Sequence, residues 1–253
     1  MVLIFISKTS DILNKKKTDI EKFTNNICLN PLYSSNVTLT KQCNIMMDSG
    51  AFQERNNRVN VLQAYNRQNS FEKKLNQNAN YIVAYDKIDN AIVTMENNKY
   101  LLNLDISNKK VCLVQGDDIE WYKICLKSLL KLSNEYDFVL GFGGIAKIAN
   151  NSYIKDKLYT SISETKEEFI NIKHIHLFGV LNEFIINDIQ KIFPDKLISV
   201  DTAGIEIKSV MGMEFIKGRW IKRYNKLDKY INYHPTDLLH INLINVLEYY
   251  KDV

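Results

Sequence analysis

Short apolar runs alternate along the chain with helical patterns, and this alternation constrains the fold more than any other feature. Each run ends in a small or polar residue, after which a helical pattern begins. Six runs show it: NIMMDSG, NYIVAYD, KVCLVQG, DFVLGFGG, HIHLFGV and LISVDTAG. Continuous apolar runs are typical of parallel strands covered on both faces, and roughly thirty residues between strand ends match a β–α–β unit. The pattern predicts an α/β fold.

Two α/β architectures fit this alternation: an open doubly wound sheet and a (β/α)8 barrel. A barrel brings all its strand ends to one mouth, whereas an open sheet binds ligands mainly at one switch point. Polar or glycine residues end all six runs: Asp48, Asp86, Gln115, Gly144, Gly179 and Asp201. Six such ends favour a compact TIM-type (β/α)8 barrel, and a chain of 253 residues can form it as one domain, 1–253.

Two helical patterns are clear enough to predict a buried face and an end. The stretch DDIEWYKICLKSLLKLSNEY begins with acids, which suit the helix dipole. Its predicted apolar face is formed by Ile119, Tyr122, Leu126, Leu129, Leu130 and Leu132. In NEFIINDIQKIF we expect Asn182 to be the N-cap and Pro194 to stop the helix.

The composition is that of an ordinary globular protein, with 45% hydrophobic and 25% charged residues. The N-terminal MVLIFIS is too short for a membrane span and lacks the features of a signal peptide. We therefore expect a cytoplasmic protein, in the host cytoplasm if a phage encodes it, with no membrane partner. The cysteines form no C-x-x-C pair or zinc-spaced cluster, so we expect buried thiols, as at Cys112 and Cys125, and no metal. A net charge of +4 is compatible with a polyanionic partner.

Asp48 and Asp201 end the first and the last of the six runs, each beside small residues. A pair of carboxylates around an anomeric carbon is typical of glycosyl transfer, in which one acid attacks C1′ and the other moves a proton on the leaving group. Either acid alone could instead cap the helix or turn that follows it. The presence of both at one predicted mouth favours chemistry over capping.

Asp86 and Gln115 end neighbouring runs and could together recognise a purine. A carboxylate accepts from a ring N–H and an exocyclic amine, while an amide and a backbone N–H donate to a carbonyl. Asp86 could also be a helix cap. Phe52 and Phe178 lie beside strand ends and are candidates for stacking on a flat base, with core packing as the alternative.

The stretch GFGGIA supports a different function, because G-x-G-x-x-A after a strand is typical of a dinucleotide-binding turn. That function also needs an acid at the end of the next strand, about twenty residues on. The acids in that interval belong instead to a helical pattern: Glu164, Glu167 and Glu168. A nicotinamide-dependent oxidoreductase is therefore the weaker alternative. His174 and His176 alternate on one strand, and strand packing is expected for both.

Taken together, these motifs resemble the queuine/archaeosine tRNA-guanine transglycosylase family and its DNA-acting relatives, the 7-deazaguanine DNA transglycosylases of phages and bacteria. The stretch VQG is identical to the family's. The other matches are DSGAFQ to DSGGFQ, YDKI to FDEC, GGIA to GGLA, LFGVL to LMGVG, VDTA to FDCV, and LLHINLINVLEYY to the last helix. The resemblance runs from about residue 45 to the C-terminus, with the motifs in the family's order.

The resemblance implies a base exchange through a covalent aspartyl-glycosyl intermediate, with no cofactor. Asp201 matches the nucleophile, and Asp48 matches the general acid/base. The implied base-binding residues are Ser49, Phe52, Asp86, Gln115, Gly143, Gly144, Ile145 and Phe178. The partners implied are a nucleic acid, guanine and a 7-deazaguanine base.

Two departures from the tRNA enzymes favour DNA as the polymer. Those enzymes carry a C-x-C-x-x-C…H zinc site before the last helix, and KGRWIKRYNKLDKYINYHPTD contains no cysteine. The basic element that follows their nucleophile is also missing, whereas a compact, zinc-free barrel fits a phage DNA-modifying enzyme. Phosphate contacts are predicted for Lys217, Arg219, Lys222 and Arg223, with a solvated edge strand as the alternative. Exchange on tRNA and a non-catalytic nucleic-acid-binding member of the family remain alternatives.

Overall fold

Eight parallel strands close into a barrel in the computed structural model, which describes residues 2–8, 22–32, 34, 37–51, 54, 60–202, 204–222 and 235–251. The strands are β1 (Val2–Lys8), β2 (Asn26–Leu29), β3 (Asn44–Met47), β4 (Tyr81–Val83), β5 (Lys109–Val114), β6 (Val139–Phe142), β7 (His174–Leu177) and β8 (Leu197–Thr202). Each strand pairs with the next in the chain, and β8 pairs with β1. The predicted TIM-type barrel is confirmed.

One helix follows each of the strands β3 to β8, and another lies near the C-terminus. The helices are α1 (Val61–Leu75), α2 (Ala91–Leu102), α3 (Ile119–Leu132), α4 (Ser152–Thr165), α5 (Glu183–Ile192), α6 (Gly204–Val210) and α7 (Pro235–Tyr249). Between α6 and α7 lies an antiparallel hairpin of β9 (Met213–Ile216) and β10 (Arg219–Lys222). Between β2 and β3 the described residues contain no helix. Among the described residues, no helix has both the length and the apolar character needed to cross a membrane.

The six predicted runs form β3 to β8, and both predicted helix patterns are confirmed. Helix α3 buries Tyr122, Leu126, Leu129 and Leu130 together with Cys125, whereas the predicted Ile119 and Leu132 are only half-buried. Asn182 accepts a hydrogen bond from the Ile185 backbone N–H at the start of α5, and Pro194 follows its end. The four cysteines are buried free thiols.

The barrel interior is apolar on one side and polar on the other. Its apolar part consists of alternate residues from β1 to β6: Phe5, Cys28, Met46, Tyr81, Val83, Val111, Leu113 and Val139. On β7 and β8 the buried polar side chains of His174, His176 and Ser199 complete the interior. Phe5 links the two parts, since its ring lies 5.7 Å from that of Tyr81 and 6.1 Å from that of His176.

Amide side chains on the helices tie the strand ends in place. The Asn98 side chain of α2 accepts from the Leu113 N–H at 2.9 Å and donates to the Leu113 carbonyl at 2.8 Å. The buried Gln68 Nε2 of α1 lies 3.2 Å from the carbonyl oxygens of Met47 and Asp48 and 2.9 Å from that of Val83. Gln68 therefore joins the ends of β3 and β4 next to the Asp48 carboxylate.

Gln68→Ala is expected to lower the free energy of unfolding by about 2 kcal/mol, because it leaves buried carbonyl groups without their donor. Asn66→Ala on the exposed face of the same helix is the control and should change stability by less than about 0.5 kcal/mol. Urea denaturation of the two variants measures both values. Equal midpoints for the two would show that Gln68 does not hold the strand ends.

The glycine-rich GFGGIA does not form a dinucleotide-binding turn. That turn requires the glycines to lead directly into a helix whose N-terminus binds the pyrophosphate. Here a short 3-10 turn, Ile148–Asn150, intervenes, and α4 begins only at Ser152 with Asn151 as its N-cap. The closed barrel also lacks the switch point at which an open sheet binds dinucleotides.

Candidate active site

Asp48 and Asp201 lie at the same mouth of the barrel, where the carboxyl ends of the strands meet. In the strand order, β2 lies between β3, which leads to Asp48, and β1, which pairs with the Asp201 strand. Burial raises the pKa of the Cys28 thiol on β2 well above its usual value, and the charges of Asp201 and Asp48 raise it further. Cys28 lies in the barrel interior on the strand between those of the two acids, and both of their charges act on its thiol.

Both oxygens of the Asp48 carboxyl group accept hydrogen bonds. Oδ2 accepts from Asn30 Nδ2 at 2.8 Å, and Oδ1 accepts from the Ser49 N–H at 2.8 Å. Burial raises the pKa of Asp48 to about 7, the charges of Asp201 and Asp86 add to the rise, and the two hydrogen bonds oppose it. A carboxyl group with a pKa near neutrality can both give and take a proton, as general acid/base catalysis requires.

The two oxygens of Asp201 have different surroundings. Oδ1 accepts from the Gly179 N–H at 2.7 Å and lies 3.3 Å from His176 Nε2. Among the residues that the structure describes, none donates to Oδ2, and the side chain is 15% exposed. One oxygen is thus held in place while the other has no donor in the described part of the chain, an arrangement that suits a nucleophile.

None of the three mouth acids caps the helix that follows it. Asn60 caps α1 and Asn90 caps α2, each through its side-chain oxygen. In the turn before α6 the Thr202 hydroxyl, not the neighbouring acid, accepts from the Gly204 N–H at 2.9 Å. No described hydrogen bond thus makes any of these three acids a helix cap, although Asp48 Oδ1 accepts from the Ser49 N–H in the turn after β3.

Asp86 and Gln115 form a buried pair beneath the GGIA loop. Gln115 Nε2 donates to Asp86 Oδ2 at 2.5 Å. Burial raises the pKa of Asp86 to about 6, although this hydrogen bond acts to lower it. Gln115 Oε1 is buried and has no hydrogen-bond partner among the residues that the structure describes. A Cβ at Gly143 would lie 2.5 Å from Gln115 Nε2, and one at Gly144 would lie 2.8 Å from Oε1. The two glycines therefore let the loop lie directly on the amide.

Phe178 reaches the mouth from the end of β7, where it is half-buried. Its ring centroid lies 4.3 Å from that of His176, and a Cβ at Gly141 would meet the Phe178 ring at 2.7 Å. Gly141 thus makes the space that the ring occupies, and the Phe178 ring packs against the apolar interior of the barrel. Phe52, the other predicted stacking residue, lies outside the described residues.

Two of the predicted base-binding side chains face other groups. The Ile145 side chain is fully buried in the core that packs against the helices, so only its backbone is available at the mouth. Ser49 is 1% exposed. Its hydroxyl accepts from the Ala51 N–H, its carbonyl accepts from Arg67, and its N–H donates to Asp48 Oδ1. Ser49 thus shapes the loop after β3 and positions Asp48.

The predicted basic strip lies on the β9–β10 hairpin, with its turn on the mouth side of the barrel. A Cβ at Gly218 in this turn would lie 2.5 Å from the Tyr249 hydroxyl, which bonds Glu183 at the start of α5. Because α5 follows β7, it begins at the mouth. Lys217 and the β10 residues Arg219 and Lys222 are exposed. Arg223 lies outside the described residues.

Several residues at the site were not predicted. Asn30, which donates to Asp48, follows the short run NICL of β2, and its position after an apolar run was the available signal. His176 was expected to serve strand packing, but it contacts Asp201 and Ser199 inside the barrel. For Ser199, one small polar residue in an apolar run was the only signal.

The described residues contain no group of three or more His, Cys, Asp or Glu side chains that could hold a metal ion. What the mouth does contain is a pair of carboxyl groups in unequal surroundings, a carboxyl–amide pair beneath two glycines, and an aromatic ring at its edge. No protein-family model matches the chain, and a search of curated proteins also found no match.

Proposed function

We propose that the protein is a base-exchange glycosyltransferase that replaces guanine in DNA with a 7-deazaguanine base of the preQ0 type. The unequal surroundings of two acids at one mouth carry the proposal. Asp48 has a raised pKa and both oxygens held, whereas one oxygen of Asp201 has no donor within the described ranges. Two carboxyl groups whose environments differ in this way are typical of an acid/base and a nucleophile that work on one substrate.

Asp201 Oδ2 attacks C1′ of the target nucleotide, and the bond between C1′ and N9 of guanine breaks. The electron pair of that bond goes to guanine, which takes a proton from the acid form of Asp48. The incoming base then gives its N9 proton to Asp48 and attacks C1′, and the ester bond to Asp201 breaks. No cofactor takes part, because the covalent intermediate preserves the energy of the glycosidic link.

The Asp86–Gln115 pair supports recognition of a guanine-type base. The ionised Asp86 carboxylate can accept from the ring N–H and the exocyclic amine of the base. Gln115 donates to Asp86 while no base is bound. When a base binds, its N–H groups would donate to Asp86 in place of Gln115. The Gln115 amide and the Gly144 N–H would then donate to the carbonyl of the base. Phe178 would pack against one face of the base, and Phe52 is proposed for the other.

Gly144→Ala is expected to weaken binding of free guanine about tenfold, which corresponds to losing roughly one hydrogen bond. Gly144 has a φ of +66°, and its Cβ would displace the Gln115 amide. Gly212→Ala is the control. Gly212 lies in the turn before β9 with a φ of +73°, so this substitution causes the same kind of backbone strain at a position away from the mouth. Calorimetric titration with guanine measures both. Equal affinities would contradict the proposed role of the loop.

The basic hairpin and the sequence before α7 support DNA as the polymer. Lys217, Arg219 and Lys222 are exposed and can contact phosphates, with Arg223 proposed alongside them. The segment between the nucleophile and α7 has no cysteine for the zinc site of the tRNA enzymes. A guanine in a duplex must be flipped out to reach the mouth, at a cost on the order of a few kcal/mol. Single-stranded DNA should therefore be the better substrate.

A polymer-choice assay tests the proposal. The protein is incubated with radiolabelled guanine and either single-stranded DNA, duplex DNA or tRNA, with Asp201→Ala as the control. We expect label in DNA, more in single strands than in duplex, and none with Asp201→Ala. Label in tRNA alone would establish the tRNA alternative. Binding of DNA with no label in any polymer would favour a non-catalytic nucleic-acid-binding protein, and binding of NAD without exchange would favour the oxidoreductase.

A further inference from the structure

We infer that His176 is a positioning residue for Asp201, held in one orientation by Ser199 and His174, so that Oδ1 is fixed and Oδ2 is the attacking atom. This inference rests on the proposed role of Asp201 as nucleophile. His176 does not itself contact the reacting atoms in this scheme, and it acts through the carboxylate.

A continuous row of polar atoms runs inside the barrel from His174 to Asp201. His174 Nε2 lies 2.6 Å from Ser199 Oγ, which lies 2.8 Å from His176 Nδ1. His176 Nε2 then lies 3.3 Å from Asp201 Oδ1. His176 and Ser199 have no exposed surface and His174 is 7% exposed. The row therefore joins the interior of the barrel to the acid at its mouth.

The hydrogen bonds of the row have one consistent set of directions when the His176 ring carries a single proton. A carboxylate only accepts, so that proton lies on Nε2 and Nδ1 accepts. The Ser199 hydroxyl has one hydrogen, which goes to Nδ1, so its oxygen accepts from His174 Nε2. Burial lowers the pKa of His174 to about 3, helped by His176 and Lys109, which keeps that ring neutral. The arrangement thus requires the Nε2–H tautomer of His176.

Hydrogen bonds, with ring packing on two sides, favour one orientation of the His176 ring. The rings of Phe5 and Phe178 meet it edge to face, with centroids at 6.1 Å and 4.3 Å. A half-turn of the imidazole would put carbon atoms where Ser199 and Asp201 now meet nitrogen, and both hydrogen bonds would be lost. Together with the Gly179 N–H, the ring directs two donors at Oδ1 and none at Oδ2.

A role limited to filling the barrel interior makes a different prediction. If His176 only fills the interior, the shape and burial of the side chain decide the effect of a substitution. If His176 positions Asp201, a hydrogen-bond donor at the Nε2 position decides it. Glutamine can place an amide N–H close to the Nε2 position of histidine. The shorter asparagine places its N–H near the Nδ1 position and cannot reach Asp201. These two amides are therefore a matched pair that separates the two roles.

Steady-state exchange and protein NMR on the full chain test the inference. We expect His176→Gln to keep kcat within tenfold of the wild type, and His176→Asn and His176→Phe to lose about 10²-fold in kcat with little change in KM for the base. Thermal melts identify any variant that fails to fold. In ¹⁵N-histidine spectra, the signals of the His176 ring are identified because they are missing from the spectrum of His176→Gln. In the wild type these signals should show the Nε2–H tautomer.

Three outcomes would overturn the inference, and they differ in what else they affect. An active wild type with equal losses in the glutamine and asparagine variants would reject positioning while leaving the base exchange intact. An Nδ1–H tautomer would also reject it, even if the variants do not fold. A wild type that exchanges no base on any polymer would remove the proposed function and this inference with it.

Discussion

Asp201→Asn is expected to lower the rate of base exchange by on the order of 10⁴-fold or more, because an amide cannot replace a carboxylate as the nucleophile. Asparagine keeps the shape of the side chain and an oxygen that can accept from Gly179, so the fold should persist. Incorporation of radiolabelled guanine into single-stranded DNA measures the loss. Circular dichroism checks the fold.

Asp195→Asn is the matched control for this change. It removes the same charge from an acid whose side chain is 74% exposed, in the loop before β8. This variant should incorporate label at the wild-type rate. If Asp201→Asn also stayed within tenfold of the wild type, Asp201 would not be the nucleophile.

Asp48→Asn is expected to lower exchange by about 10² to 10⁴-fold, the usual contribution of a general acid/base. In the first step Asp48 must be protonated to serve the leaving guanine. Because the pKa of Asp48 is about 7, the rate of single-turnover guanine release should fall as the pH rises above 7. Rapid-quench measurements between pH 5 and pH 9 test this. A release rate independent of pH would argue against Asp48 as the acid.

The same substitution should stabilise the protein at high pH. Burial raises the pKa of Asp48 in the folded state to about 7. The contribution of Asp48 to the free energy of unfolding is therefore fully present below pH 4 and is lost as the pH rises through 7. Asparagine removes this titration. The stability of Asp48→Asn relative to the wild type should thus rise by about 3 kcal/mol from pH 5 to pH 8. Urea denaturation at both pH values measures the change, and Asp195→Asn should show none.

The sequence was sufficient to predict β3 to β8 because each of them has an apolar run, a polar end and a helical pattern after it. β2 was missed because it has only four residues and the described segment after it contains no helix. The periodicity that identifies the other strands is therefore lacking at this point in the chain. β1 is a long apolar run that was considered only as a membrane or signal segment.

The mouth residues that end strands were predictable for a physical reason. Parallel strands end at one face, so Asp48, Asp86, Gln115, Gly144 and Asp201 had to meet once the barrel closed. The contacts that tune them were not predictable. The meeting of His176 with Ser199 depends on the register of β7 against β8.

Side-chain direction was a second limit on what the sequence could predict. Gln68 reaches three strand carbonyls only because of how α1 is rotated about its axis. Likewise, Ile145 turns into the core although its glycine neighbours lie against the Gln115 amide. Neither direction follows from the order of residues alone.

The covalent intermediate is the most direct test of the two-acid mechanism. The protein is mixed with a fluorescent single-stranded oligonucleotide without added base and denatured, and the adduct is digested and mapped by mass spectrometry. We predict one adduct on the peptide that contains Asp201, absent in Asp201→Asn and lost when guanine is added before denaturation. An active protein that forms no adduct, or an adduct mapped to another residue, would contradict this mechanism.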